Sequence, residues 1–118
     1  MEKLRFKLIT NDEVIIDVES NYFKKDDVIN FVHEDNIYRF NITKSILNKE
    51  NKESIMNIDM VNHEITYVYK ELNKEFLLPI DNNNILKKDN YIKYEYVIKD
   101  NDITNIIEIS YWHHIDLW

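Results

Sequence analysis

The side chains of this chain that most directly suggest chemistry are its four histidines, of which His113 and His114 are adjacent. Neighbouring side chains on a strand point to opposite faces, so His114 and Asp116 form the only pair that shares a face. A zinc site needs three or four converging ligands, and this pair supplies two. His33 and His63 lie beside predicted turns, where an exposed histidine is ordinary. We therefore predict no metal ion and no cofactor.

The other polar residues do not indicate catalysis. General acid–base chemistry needs two carboxylates whose pKa values are pushed apart, usually because one lies in an apolar environment. Almost every Asp and Glu lies in a predicted turn or on the polar face of a predicted strand, as Asp59 and Glu95 do. The absence of Cys and Gly excludes a thiolate nucleophile, a glycine-based nucleophile elbow and a phosphate-binding loop. We predict that the protein is not an enzyme.

Aromatic and methionine side chains offer another possibility, a ligand held in an apolar interior. The residues that should converge there are Tyr67, Tyr69, Tyr94, Tyr96, Phe40, Phe76, Met56 and Met60. A tyrosine hydroxyl can orient a ligand within an apolar cavity. The alternative is a filled interior, because a barrel of about eight strands is only just wide enough for its own side chains. A connected cavity of about 300 Å³ or more would favour the ligand.

Strands must position these side chains, because apolar and polar residues alternate with a period of two along most of the chain. In the clearest run, residues 92–98, Tyr94 and Tyr96 share one face while Lys93 and Glu95 occupy the other. One face of the sheet therefore meets a core and the other meets water. About nine such runs joined by short turns predict an all-β fold, most simply an antiparallel up-and-down β-barrel.

The breaks between these runs are marked by Asn and Asp, which tolerate the positive φ angle of a turn in a chain without Gly. Pro79 cannot donate a hydrogen bond to a sheet, so its strand should end or lie at an edge there. Residues 45–53 are predicted to form a loop. Residues 81–90 form the longest break, the place where a single helical turn is expected. The inward face of residues 28–33 is ambiguous.

Length and composition describe one acidic domain without cysteine. A chain of 118 residues fits a single domain spanning 1–118. Its formal net charge of −7 repels polyanions, so we expect neither nucleic acid nor a membrane surface as a partner. The absence of Cys, and the alternation of the first residues in place of an apolar signal segment, favour a cytoplasmic location. Abundant Ile, Asn and Lys are typical of a low-GC bacterium.

Several short motifs follow one another in the part of the chain after Tyr38. In order they are Ile58–Met60, Tyr69–Asn73, Leu78–Ile80, Ile92–Tyr96 and Ile107–Ile109. This order resembles that of the YwiB-like family, small Firmicute and mollicute proteins of unknown function with a lipocalin-like (calycin) β-barrel. Glu71 and Asn73 stand where that family has Thr and Gly. The resemblance covers about two thirds of the chain, and it implies a calycin-type barrel without implying an activity.

These observations predict a non-catalytic binding module that holds a small apolar ligand in the barrel interior. The alternative is a filled barrel that acts as a protein–protein interaction module through its outer surface or its C-terminal aromatic tail. Residues 111–118 place Trp112, Ile115, Leu117 and Trp118 close together. Such an apolar segment would either cover one end of the barrel or form a homodimer contact.

Overall fold

The computed structural model describes residues 2–99 and 102–113, and these residues form twelve β-strands. In chain order the strands are β1 (Glu2–Thr10), β2 (Glu13–Asn21), β3 (Phe23–Lys25), β4 (Val28–His33), β5 (Asn36–Asn41), β6 (Ile46–Glu50), β7 (Ser54–Asp59), β8 (Glu64–Tyr69), β9 (Lys74–Leu78), β10 (Ile80–Lys88), β11 (Tyr91–Ile98) and β12 (Ile103–His113). The described residues contain no helix, and all of their strand pairings are antiparallel. The prediction of an antiparallel all-β fold is therefore confirmed.

The strands form two sheets. The five-stranded sheet has the order β10-β11-β12-β1-β2, and the seven-stranded sheet runs in sequence order from β3 to β9. Strands that are consecutive in the chain and belong to the same sheet are neighbours in that sheet. In addition, β1 pairs with β12 over its whole length, from Glu2 opposite His113 to Thr10 opposite Asn105. No closed barrel is found among the described strands, because no backbone ladder joins the two sheets.

The chain passes from one sheet to the other at two corners. Only Tyr22 separates β2 from β3, and only Pro79 separates β9 from β10. Both edges of the five-stranded sheet therefore continue into the edges of the seven-stranded sheet. Pro79 has no N–H to donate, and β9 ends at Leu78 directly before it, as predicted.

Three of the strands lie where the sequence predicts none, so the prediction of about nine strands is wrong. β6 occupies the predicted loop at residues 45–53, because Leu47 buries its side chain in the core and pairs with Phe40 of β5. β10 occupies the predicted break at residues 81–90, and no helical turn forms there. Asn82 takes a positive φ of 38°, and the bulge around it lets the segment stay paired with β11. The third addition is the short strand β3.

Positive φ angles in this glycine-free chain occur mainly at Asn and Asp. These residues are Asn11, Asp12, Asp26, Asn73, Asn82, Asn90 and Asp102, and Glu34, Ser45 and His63 share the same backbone conformation. Asn and Asp tolerate this region because their short side chains form local hydrogen bonds with the backbone. The prediction that they replace glycine at the turns is confirmed.

The core lies where the inner faces of the two sheets meet. Its buried side chains are Leu4, Phe6, Ile29, Phe31, Tyr38, Phe40, Leu47, Ile58, Met60, Ile65, Ile92, Tyr94, Tyr96, Ile107 and Ile109. The ambiguous strand β4 turns Ile29 and Phe31 inward. Tyr94 and Tyr96 also face inward as predicted, at 0% and 6% exposure. A shift of one residue in register would move both rings to the solvent face, so their burial fixes the register of β11.

Candidate functional site

A cavity with a volume of about 210 Å³ lies between the two sheets, and we call it the interior cleft. Its walls come from β1, β11 and β12 on one side and from β5, β6 and β7 on the other. The lining residues are Phe6, Leu8, Tyr38, Leu47, Lys49, Met56, Ile58, Tyr96, Ile98, Asn105 and Ile107. The cleft is smaller than the roughly 300 Å³ expected for usual small-molecule sites. It is larger than an apolar cavity of about 150 Å³ that binds benzene.

Cross-strand pairing explains why these residues meet. In the seven-stranded sheet, Lys49 lies opposite Tyr38 on one side and opposite Met56 on the other, so the three share the inner face. In the five-stranded sheet, Tyr96 of β11 lies opposite Asn105 of β12. The cleft is the space between these two rows.

Three neutral polar side chains face the interior cleft among its apolar walls. Asn105 is 7% exposed, and its Oδ1 accepts a hydrogen bond from the Thr10 hydroxyl at 2.8 Å. Burial raises the pKa of Tyr96 to about 12 and also raises the pKa of Tyr38. Both phenols are protonated at neutral pH, as a tyrosine with its ordinary pKa also is, and can donate hydrogen bonds. An apolar cavity with a few such groups has the composition of a small-molecule site.

The structure does not bring the eight predicted ligand-binding residues together. Tyr96 and Met56 line the interior cleft. Phe40, Met60 and Tyr94 are at most 1% exposed, and they pack inside the core without lining the cleft. These three side chains fill space that the prediction left for a ligand.

The remaining three predicted residues lie further along the seven-stranded sheet. Tyr67 of β8 is opposite Met56 on one side and opposite Phe76 on the other, so the row that starts in the cleft continues through them. Tyr69 lies at the end of β8, opposite Lys74 of the edge strand β9. Phe76 is 39% exposed although it shares the inner face. These residues are therefore outside the cleft.

Nine of the eleven residues that line the cleft were not among the predicted ligand-binding residues, and two of these are Lys49 and Asn105. Lys49 falls in the segment predicted to be a loop, and its place in a strand follows only from the pairing of β6 with β5 and β7. Asn105 could have been found, because it shares the inward period of Ile107 and Ile109. A polar side chain in such a row is a signal for a buried polar contact.

His63 is not the exposed turn residue that the sequence predicts. It is half-buried, and its Nδ1 lies 3.3 Å from the hydroxyl oxygen of Tyr94. The two rings are nearly parallel, with an interplanar angle of 9° and centroids 6.1 Å apart. Burial raises the pKa of Tyr94 to about 12, so the hydroxyl is protonated at neutral pH and can donate to Nδ1. This contact satisfies the polar end of a fully buried ring.

A second concavity, of about 610 Å³, lies at the corner where β2 passes into β3, and we call it the corner groove. It is lined by Ser20, Asn21, Tyr22, Phe23, Asn30, Phe31, Val32, Ile37 and Arg39. Phe23 and Val32 are 64% and 60% exposed. The Arg39 Nη1 is held by Asn48 Oδ1 at 3.0 Å and by Glu50 Oε1 at 3.2 Å. The groove is an apolar surface with its cation already paired.

Among the side chains described in residues 2–99 and 102–112, no three His, Asp or Glu are arranged to hold a metal ion. The predicted pair of His114 and Asp116, and the apolar residues from Ile115 to Trp118, lie outside the described residues. No helix in the described part of the chain is long and apolar enough to span a membrane.

Comparisons with protein-family models, with curated proteins and with solved structures found no match to this chain. The resemblance to the YwiB-like family therefore stays a prediction.

Proposed function

We propose that this chain is a non-catalytic binding module whose interior cleft holds one small apolar or amphipathic molecule. The observation that carries the proposal is the cleft itself, a cavity of about 210 Å³ between the sheets with apolar walls and protonated phenols. Its volume restricts the ligand to about one aromatic ring with a short polar group, by comparison with a benzene-binding cavity of about 150 Å³.

We also propose that the two sheets together correspond to a calycin-like barrel. Pairing of the first strand with the last, and the two corners at Tyr22 and Pro79, support an up-and-down arrangement that is interrupted where the chain changes sheets. A molecule between the sheets would occupy the place of a barrel interior. The proposal also retains a cytoplasmic location, which the absence of cysteine supports.

We expect 2-phenylethanol, an uncharged molecule with one ring, to bind with a Kd of about 1 mM or tighter, a modest value for so few atoms. Met56→Trp should weaken this binding at least about tenfold, because a larger side chain in the cleft wall takes the space of the ligand. Ile55→Trp is the matched control, since Ile55 is the preceding residue of β7 and faces the other side of the sheet. Calorimetric titration measures both affinities.

Equal affinity of the two tryptophan variants would show that 2-phenylethanol binds somewhere else. No binding by the unchanged protein up to tens of millimolar would reject the interior cleft as a ligand site. Circular dichroism of each variant shows that it has kept its strand content.

A second candidate function is self-association at the corner groove, with a second copy of the chain as the partner. The observation that favours it is the exposed apolar surface of Phe23, Val32 and Ile37. His113 is opposite Glu2, whose carbonyl oxygen accepts a hydrogen bond from the Tyr22 N–H at 3.1 Å. Two strand spacings, about 10 Å, therefore separate residue 113 from the groove.

The segment proposed to exchange between copies is residues 115–118, which contains the apolar residues Ile115, Leu117 and Trp118. Residues 114–118 can span about 16 Å when extended, which is enough to reach a groove. Exchange of a terminal segment is a common route to a symmetric dimer. The segment would bring apolar side chains to an apolar groove, and burial of each stabilises the contact by roughly 1.5–3 kcal/mol.

We expect light scattering to give the mass of a dimer for the unchanged protein and of a monomer after deletion of residues 115–118. Val32→Glu should also give a monomer, because it places a charge in the groove. Val14→Glu is the control, since Val14 is similarly exposed but does not line the groove. A monomeric unchanged protein, or a deletion that lowers only the thermal stability, would reject the dimer.

A further inference from the structure

Lys49 is a cation placed on an apolar inner face. Its cross-strand neighbours are Tyr38 and Met56, and all three line the interior cleft. Lys49 is half-buried, and its side chain forms no hydrogen bond or ion pair with the side chains described in residues 2–99 and 102–112. A charged group that is partly removed from water favours a partner of opposite charge.

Some other cations of this protein have polar partners. The Arg5 guanidinium donates to both carboxylate oxygens of Asp17 at 2.8 Å, and the Lys87 Nζ donates to the Ser45 hydroxyl at 3.0 Å. Glu50 is adjacent to Lys49 in sequence but faces the opposite side of β6, where Lys70 Nζ binds it at 2.8 Å. The nearest carboxylate in sequence is therefore unavailable to Lys49.

We infer that the interior cleft selects a small amphipathic anion, whose apolar ring packs between the sheets and whose carboxylate pairs with the Lys49 ammonium. This inference rests on the proposed function and names the chemical class of its ligand. The cleft presents one cation together with hydroxyl and amide groups, and no Asp or Glu lines it. The arrangement can neutralise a negative charge and offers nothing that would neutralise a positive one.

The phenol groups fit the same ligand. Tyr38 and Tyr96 carry their protons at neutral pH, as tyrosines ordinarily do, and burial raises the pKa of each hydroxyl further. Within the described part of the chain, neither hydroxyl has a protein partner in a hydrogen bond. A carboxylate is a stronger acceptor for such donors than a neutral oxygen.

The test compares phenylacetate with 2-phenylethanol, which has the same ring and a similar length but no charge. We expect the unchanged protein to bind phenylacetate about tenfold more tightly than 2-phenylethanol, the size of effect that a charged hydrogen bond gives. Lys49→Met should remove this preference by weakening phenylacetate binding about tenfold. Lys88→Met is the matched control, since Lys88 is exposed on β10 and does not line the cleft.

The outcomes separate this inference from the proposed function. Two results would overturn the inference that the ligand is an anion held by Lys49 and would leave the cleft as a ligand site. One is binding of 2-phenylethanol without any preference for phenylacetate, and the other is a preference that survives Lys49→Met. Failure of both molecules to bind would reject the proposed function itself. Added salt should weaken phenylacetate binding alone, because it screens the ion pair at the half-buried lysine.

Discussion

Replacement of Tyr94 by Ala should lower the free energy of unfolding by about 3–5 kcal/mol, the usual cost of truncating a large core side chain. Tyr94 is 0% exposed, and its ring lies 5.3 Å from that of Tyr96. The substitution would open a cavity at the centre of the core and would leave His63 without its hydroxyl partner. Denaturation with urea measures the loss, provided that the slope of the transition is unchanged.

Two further variants make the Tyr94 prediction specific. Tyr91→Ala should cost clearly less, because Tyr91 belongs to the same strand but points to the opposite face. Tyr94→Phe keeps the ring and should cost about 1 kcal/mol, the net contribution of one hydrogen bond. A loss below about 1 kcal/mol for Tyr94→Ala would place the ring outside the core and contradict the register of β11.

Stability should also fall steeply in alkali, between pH 10 and pH 12, because two buried tyrosines resist ionisation. Burial raises the pKa of Tyr94 and of Tyr96 from 10.0 to about 12. Above pH 10 the unfolded chain releases these protons while the folded chain retains them. Their contribution is therefore complete below pH 10 and is lost as the pH rises to about 12. The loss should reach about 2–3 kcal/mol for one tyrosine.

The double variant with Tyr94→Phe and Tyr96→Phe tests this alkaline effect. Its stability should fall clearly less between pH 10 and pH 12 than that of the unchanged protein, since phenylalanine carries no proton to release. Tyrosinate absorbance should report the ionisation of both rings together with unfolding. An equal alkaline loss in both proteins would assign the effect to other groups, and our account of the buried phenols would be wrong.

The alternation of apolar and polar residues was sufficient to predict strands and their inner faces wherever the period was clear. β11 is the best example, since Tyr94 and Tyr96 face inward as predicted. Asn and Asp marked the turns because few other residues tolerate a positive φ. Pro79 marked the end of β9 because it lacks an N–H. Each of these signals depends on the residues of one segment, so it can be recognised without knowing how the segments pair.

Strands with a weak period could not be predicted in this way. β6 has few apolar residues, and it forms because β5 and β7 lie on either side of it and share their backbone hydrogen bonds. β10 contains three consecutive asparagines, and pairing with β11 holds it extended across a bulge. In both cases tertiary pairing outweighs the low strand preference of the segment.

The candidate site was predicted only in part for a related reason. The pattern identified inward side chains, but it could not say which of them fill the core and which border a cavity. Tyr94 and Tyr96 belong to the same inward row of β11, yet Tyr94 packs against His63 and Tyr96 lines the cleft. That difference depends on where the second sheet lies. Lys49 was missed because its strand was not predicted.

The central claim is that the interior cleft, and not the corner groove, is the place where a small molecule binds. The most direct measurement is a crystal structure determined under xenon pressure, because xenon enters apolar cavities of this size. We predict a strong xenon peak between Met56 and Tyr96 inside the interior cleft. A cleft without xenon, with peaks confined to the corner groove around Phe23 and Val32, would contradict the claim.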